Sequence, residues 1–150
     1  MAKAPRDLGE AIRKRVLAKD GRFPLEAYRF LYEALDHTIR RIGERRHVTG
    51  HELLDGIRDL AEKAFGFLAK TVFENWGLKG TEDWGRIVFF LVDSKILSRT
   101  EQDRLEDFQG VYDFGEALES GYQIPIRFDP KSWKREYAGL QAEEETKKKS

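Results

Sequence analysis

Between Thr49 and Gly77 the chain carries apolar residues in an almost unbroken helical rhythm: Leu53, Ile57, Leu60, Ala61, Ala64, Phe65, Leu68, Val72 and Trp76. Spacings of three and four put these side chains on one stripe of an α-helix, which must then be buried against something. The start is marked twice. Thr49 and Glu52 form a T-x-x-E capping box, and Val48 and Leu53 stand where a hydrophobic staple would close across the first turn. Gly66 falls inside the stripe and is the expected break, so two consecutive helices ending at Gly77 are predicted.

A second stripe precedes it. Leu25, Tyr28, Leu31, Tyr32, Leu35, Ile39 and Ile42 follow Pro24, which suits a first helical position because its missing N–H would go unsatisfied there, and Gly43 suits the residue just past the end. Upstream, Asp7 and Glu10 resemble a capping box ahead of Ile12, Val16 and Leu17, with Asp20-Gly21 as the stop. Downstream, Thr81, Glu82 and Asp83 place carboxylates in the first turn of a helix whose run Ile87 to Val92 is apolar nearly all round, which predicts a central, buried element. Ser98 to Glu101 and Asp113 to Glu116 have the spacing of two further caps, with Phe108, Val111, Tyr112, Phe114 and Leu118 as core anchors.

The period then changes to two. Tyr122, Ile124, Ile126 and Phe128 alternate with Gln123, Pro125 and Arg127, the pattern of one half-buried strand, and Pro125 assigns it to an edge. Its internal pairing candidate is the stretch Arg46-His47-Val48; otherwise the partner strand belongs to another chain. The expected fold is therefore mainly α, a compact domain of five to seven helices over residues 1–140 with a short C-terminal strand at 122–128, followed by a charged flexible tail at 141–150.

Composition enters mainly through what it excludes. No cysteine is present, which removes disulfides, thiolate metal sites and thiol nucleophiles together. The apolar run Ile87–Val92 is far short of the roughly 18 residues of a membrane span, and the N-terminal residues show no signal-peptide core. A cytoplasmic, soluble chain with no membrane partner is expected. Net charge is zero, but residues 1–46 carry +5, residues 47–126 carry −7 and residues 127–150 carry +2.

Four constellations could carry chemistry. His47 and His51, with Asp55 and His37, have a spacing that could chelate on one helix, but the cap at Thr49 places His47 outside it, and the motif is not H-E-x-x-H. Arg40, Arg41, Arg45 and Arg46, supported by Arg13, Lys14 and Arg15, could hold the phosphates of a nucleic acid. The competing reading is that they complement a helix C-terminus and pair with nearby acids. Asp103, Glu106 and Asp107 would share a face if helical and could meet a basic partner, and Tyr122 and Ile124 could join another chain by strand addition. No phosphate loop, dinucleotide fingerprint or nucleophile elbow occurs, so no catalytic residue, cofactor or metal is assigned.

Asp20-Gly21-Arg22-Phe23-Pro24, the run from Arg46 to Leu54, Asn75-Trp76-Gly77, Thr81-Glu82-Asp83-Trp84-Gly85 and Val111-Tyr112-Asp113-Phe114 together resemble a family of conserved hypothetical bacterial proteins, the Minf type, over residues 8 to about 128. The resemblance implies one intact domain with a dispensable tail; it carries no activity, cofactor or functional residue. By elimination, the expected function is a small noncatalytic interaction module that binds another protein or a second copy of itself. A winged-helix-like nucleic-acid-binding regulator using the basic N-terminal third is the alternative, although the element spacing is too long and no wing turn is present. A metal-dependent enzyme built on His37, His47, Glu52 or Asp55 stands third.

Overall fold

The computed structural model describes residues 7–44 and 46–120. Among them are five α-helices and no strand: α1 (Leu8–Ile12), α2 (Leu25–Ile42), α3 (Gly50–Phe65), α4 (Ala69–Asn75) and α5 (Thr81–Asp93). A π-helical turn, Arg13–Leu17, continues α1; a 3₁₀ turn, Gly66–Leu68, joins α3 to α4; another, Leu105–Phe108, precedes a π-helical segment at Gly115–Ser120. The mainly helical expectation is met. The strand at 122–128, with Tyr122 and Ile124, and the tail at 141–150 lie outside the described residues, as does Arg45.

The strongest local signals produce the expected ends. Thr49 Oγ1 accepts from the Glu52 N–H at 3.2 Å, and Glu52 Oε1 accepts from the Thr49 N–H at 3.1 Å, so the capping box closes in both directions. Val48 and Leu53 on either side of it are fully buried. Gly43 ends α2 at φ +85°, and Gly66 ends α3 at φ +56° and ψ −133°, conformations that a Cβ strongly disfavours.

Weaker signals differ. Asp7 sits at the N-cap of α1 but its carboxylate caps nothing, and Pro24 is the N-cap of α2 rather than its first helical residue. Ser98–Glu101 opens no helix. Asp103 takes that part of the chain instead, accepting from the Thr100 N–H at 2.9 Å and closing a turn. Asp113 does cap, accepting from the Glu116 N–H at 3.1 Å.

The core lies between α2, α3 and α5. Phe30 is its hub, with ring centroids 5.6 Å from Phe65, 5.7 Å from Phe73, 5.6 Å from Trp76 and 5.8 Å from Trp84. Phe114 reaches Phe73 at 5.3 Å, and the Tyr112 hydroxyl donates to Leu54 O at 2.8 Å, so the last described segment is fastened to the same core. As its sequence requires, α5 is central: Trp84, Ile87, Val88 and Leu91 are buried. Two glycines let elements approach closely. Gly56 of α3 faces Thr38 of α2, where an added Cβ would stand 1.8 Å from Thr38 Oγ1. Gly85 of α5 receives Phe108, whose carbonyl accepts from Thr81 Oγ1 at 2.6 Å.

Candidate interaction surface

The two ionic constellations of the sequence turn largely inward. Arg46 forks onto Glu52, with Nη1–Oε1 3.0 Å and Nη2–Oε2 2.6 Å, and also approaches Glu44 at 3.4 Å. That fork, with the Thr49 N–H, lowers the Glu52 carboxyl from 4.5 to about 2. Arg41 reaches Asp55 at 3.3 Å and Asp59 at 3.9 Å; Arg40 pairs with Asp36 at 2.8 Å one turn back. Asp59 also meets His37 Nε2 at 2.7 Å and Lys63 at 2.9 Å. Burial raises its pKa, yet the hydrogen bonds with His37 and Lys63 and the charges of Arg41 and Lys63 outweigh burial and bring it from 3.8 to about 2. Arg41 and His37 of α2 thus meet Asp55 and Asp59 of α3 along the α2–α3 seam, Arg40 pairs within α2 on its exposed face, and Arg46 holds Glu52, so Arg40, Arg41 and Arg46 each already hold a carboxylate.

The acidic triplet is not a helical face. Asp103 lies in a turn and Asp107 in a single 3₁₀ turn, so the spacing that would align them on an α-helix has no meaning there. Asp103 is buried; its carboxylate binds the Thr100 N–H and, at 3.0 Å, His47 Nε2. Against the upward push of burial, these partners hold its pKa below 3.8. Asp107 accepts from the Arg104 N–H at 3.1 Å. Glu106 alone of the three is exposed, next to Leu105, which is 41% exposed. Among the described residues no group of three or more His, Asp or Glu side chains is arranged to hold a metal ion, and no helix is long and apolar enough to cross a membrane.

The surface feature that sequence periodicity missed is at the α3–α4 junction. A continuous helix would bury Leu68 and Val72. Instead, Gly66 redirects the backbone, the next turn is 3₁₀, and the phase resets so that Ala69 and Phe73 enter the core. Phe67 and Leu68 are left pointing outward, each 61% exposed, the largest apolar groups so displayed among the described residues. The π-helical segment Gly115–Ser120 packs beside this turn and against α4. Glu74 and Glu116 are exposed and Glu119 half-buried, and Lys70 is shared between Glu74 at 3.6 Å and Glu119 at 4.0 Å. The available clue was Gly66 followed directly by two large apolar residues, a sequence that interrupts a helix at the point where its stripe would otherwise shift.

The described residues form a compact, mainly α-helical structure that leaves Phe67 and Leu68 exposed. Comparison with protein-family models, curated proteins and solved structures finds no match. The resemblance to the Minf-type family gains no support from these comparisons, and the functional reading rests on geometry.

Proposed function

We propose that this chain is a noncatalytic protein-interaction domain whose contact surface centres on Phe67 and Leu68. The observation that carries the reading is the break at Gly66, after which Leu68, a residue of the expected buried stripe, stands exposed beside Phe67. At 61% exposure the pair presents roughly 200–250 Å² of apolar surface, and removing it from water is worth about 5–6 kcal/mol at about 25 cal/mol per Å². Association costs about 4–15 kcal/mol, so the pair serves as an anchor and the surface around it must supply the rest of the interface. A cysteine-free chain suits a reducing compartment, consistent with work in the cytoplasm.

The test is capture of partners on the immobilised full chain from native lysate, with nuclease-treated controls, compared with a Phe67→Asp/Leu68→Asp variant. A protein species retained by the wild type and lost with the variant is the expected result. Capture insensitive to these substitutions overturns the reading. Capture abolished by nuclease and by Arg40→Glu/Arg41→Glu would favour the nucleic-acid alternative.

A further inference from the structure

We propose that the π-helical turn Arg13–Leu17 and the C-terminal end of α5 form a binding surface for the phosphate backbone of double-stranded nucleic acid, carried by Arg13, Arg15, Lys19 and Lys95. These residues lie on other elements than Phe67 and Leu68 and do not depend on their docking role. The first observation is where unpaired cations remain. Arg40, Arg41 and Arg46 are each held by a carboxylate. Burial of Ile12 and Val16 turns the other side of the π-helical turn to water, where Arg13, Lys14, Arg15 and Lys19 are exposed. Lys14 pairs with Glu10 at 2.6 Å, whereas Arg13, Arg15 and Lys19 have no ion-pair partner among the described residues. Besides Glu10, the acids nearest in these elements are Asp20, which accepts from the Arg22 N–H at 2.9 Å, and Asp93 at the end of α5, so cations are in excess.

The second observation is Lys95. Ser94 Oγ donates to the Arg15 carbonyl at 3.2 Å, which holds the end of α5, and Lys95 with it, against the same turn. Lys95 adopts φ +59°, the left-handed conformation that closes a helix, and the Ile96 and Leu97 N–H groups return to Leu91 O at 2.9 and 3.2 Å. Glycine suits that conformation and a Cβ disfavours it; Lys95 is the one non-glycine residue with positive φ among the described residues. It is exposed and has no ion-pair partner among them. A lysine standing where glycine fits better, at the edge of three unpaired cations, points to use of its charge.

The third is the chemistry around these cations. The large apolar residues exposed among the described residues, Phe67, Leu68 and Leu105, lie on other elements, so the surface is cationic without an apolar centre. The centre of a protein–protein contact is depleted of charge, whereas nucleic-acid contacts are polar and strongly positive. The guanidinium forks of Arg13 and Arg15 match phosphate oxygens. In α5, Phe89 and Phe90 are half-buried and Arg99 lies over the Phe89 ring at 5.4 Å, which leaves no exposed ring on which an unpaired base could stack and favours a duplex. Because charges more than about 10 Å apart are screened at 0.1 M salt, this local excess governs contact with a phosphate strand rather than the zero total.

Fluorescence anisotropy of a labelled, mixed-sequence DNA duplex of about 20 base pairs, titrated with the full chain, tests the proposal. Four phosphate contacts give an expected Kd of about 10–100 µM at about 50 mM NaCl and a log–log salt slope of about −3.6, a loss of about 150-fold by about 200 mM. Arg13→Gln/Arg15→Gln should weaken binding at least tenfold and bring the slope to about −1.8. Lys95→Gly should weaken binding at least threefold while raising Tm by about 2–4 °C, a combination that loss of folding cannot mimic. Arg40→Gln and Phe67→Asp/Leu68→Asp should each leave duplex affinity within twofold of wild type, with circular dichroism verifying the helix content of every variant. No binding at about 50 mM NaCl, or a loss with Arg40→Gln as large as with Arg13→Gln/Arg15→Gln, would overturn the proposal. So would labelled polyglutamate binding as tightly as the duplex, which would assign the surface to an acidic protein, or tighter binding of the corresponding single strand. Failure on any of these counts leaves Phe67-dependent capture of a protein untouched.

Discussion

Replacing Gly56 by alanine tests the close approach of α2 and α3 most sharply. In isolation the change favours the helix by about 1 kcal/mol. In the folded protein its Cβ would lie 1.8 Å from Thr38 Oγ1, 3.0 Å from Thr38 Cβ and 3.5 Å from the Ala34 carbonyl oxygen. Thr38 is buried, and its hydroxyl donates to Ala34 O at 2.6 Å, so it cannot turn away without giving up that bond. Forcing atoms into a packed seam costs about 1–3 kcal/mol, and losing the hydroxyl's partner adds about 1 kcal/mol. Net of the helix gain, Gly56→Ala should destabilise by about 2 kcal/mol, lowering Tm by about 4–8 °C for a chain of this size. Thr38→Ala alone removes the obstructing oxygen and should stay within about 1 kcal/mol of wild type. In the Thr38→Ala background the 1.8 Å contact no longer exists, and Gly56→Ala should become neutral within about 0.5 kcal/mol. The coupling of about 2 kcal/mol is read from urea denaturation of the four proteins followed by circular dichroism. Equal costs of Gly56→Ala in both backgrounds would refute the reasoning, because the penalty would then not arise from the Thr38 hydroxyl.

Thr49→Ala removes the acceptor for the Glu52 N–H and should cost about 1 kcal/mol by denaturant titration, with Thr49→Ser restoring most of it. Glu52 has a folded-state pKa lowered from 4.5 to about 2, so its contribution is complete above 4.5 and disappears as pH falls through about 2. Glu52→Gln should accordingly be less stable than wild type at pH 7, with the gap closing by pH 2; a constant gap across that range would contradict the assignment. The Tyr28 hydroxyl is buried without a hydrogen-bond partner among the described residues, and burial, aided by the Asp20 charge, pushes its pKa to about 12. Tyr28→Phe should therefore preserve stability or raise it by up to about 1 kcal/mol, whereas a loss above 1 kcal/mol would mean that the hydroxyl is satisfied.

Helix ends, helix order and the central place of α5 were legible along the chain because they depend on neighbours within four residues. A Thr49 hydroxyl meets the Glu52 N–H whatever lies elsewhere, and glycine at positions 43 and 66 tolerates positive φ wherever the helix is packed. Periodicity also named much of the core, including Leu31, Leu53, Ile57, Ile87 and Phe108. It failed where a helix changed type. Leu68 followed the α3 stripe in sequence, yet one 3₁₀ turn after Gly66 moved it to the surface.

Only the tertiary structure decided which charges are spent internally. Arg41 and Asp55 are fourteen residues apart, and His47 and Asp103 fifty-six, so no local pattern announces their pairing. The three acids that one helical period would have aligned were separated by a turn and a 3₁₀ turn, and Asp103 went inward. Local backbone preferences act over a few residues and can be read in order; ion pairing and the phase of a surface residue depend on which helices meet. The sequence by itself thus determined a helical protein with well-marked ends, while packing decided that Arg41 would be paired across the α2–α3 seam and that Phe67 and Leu68 would face outward.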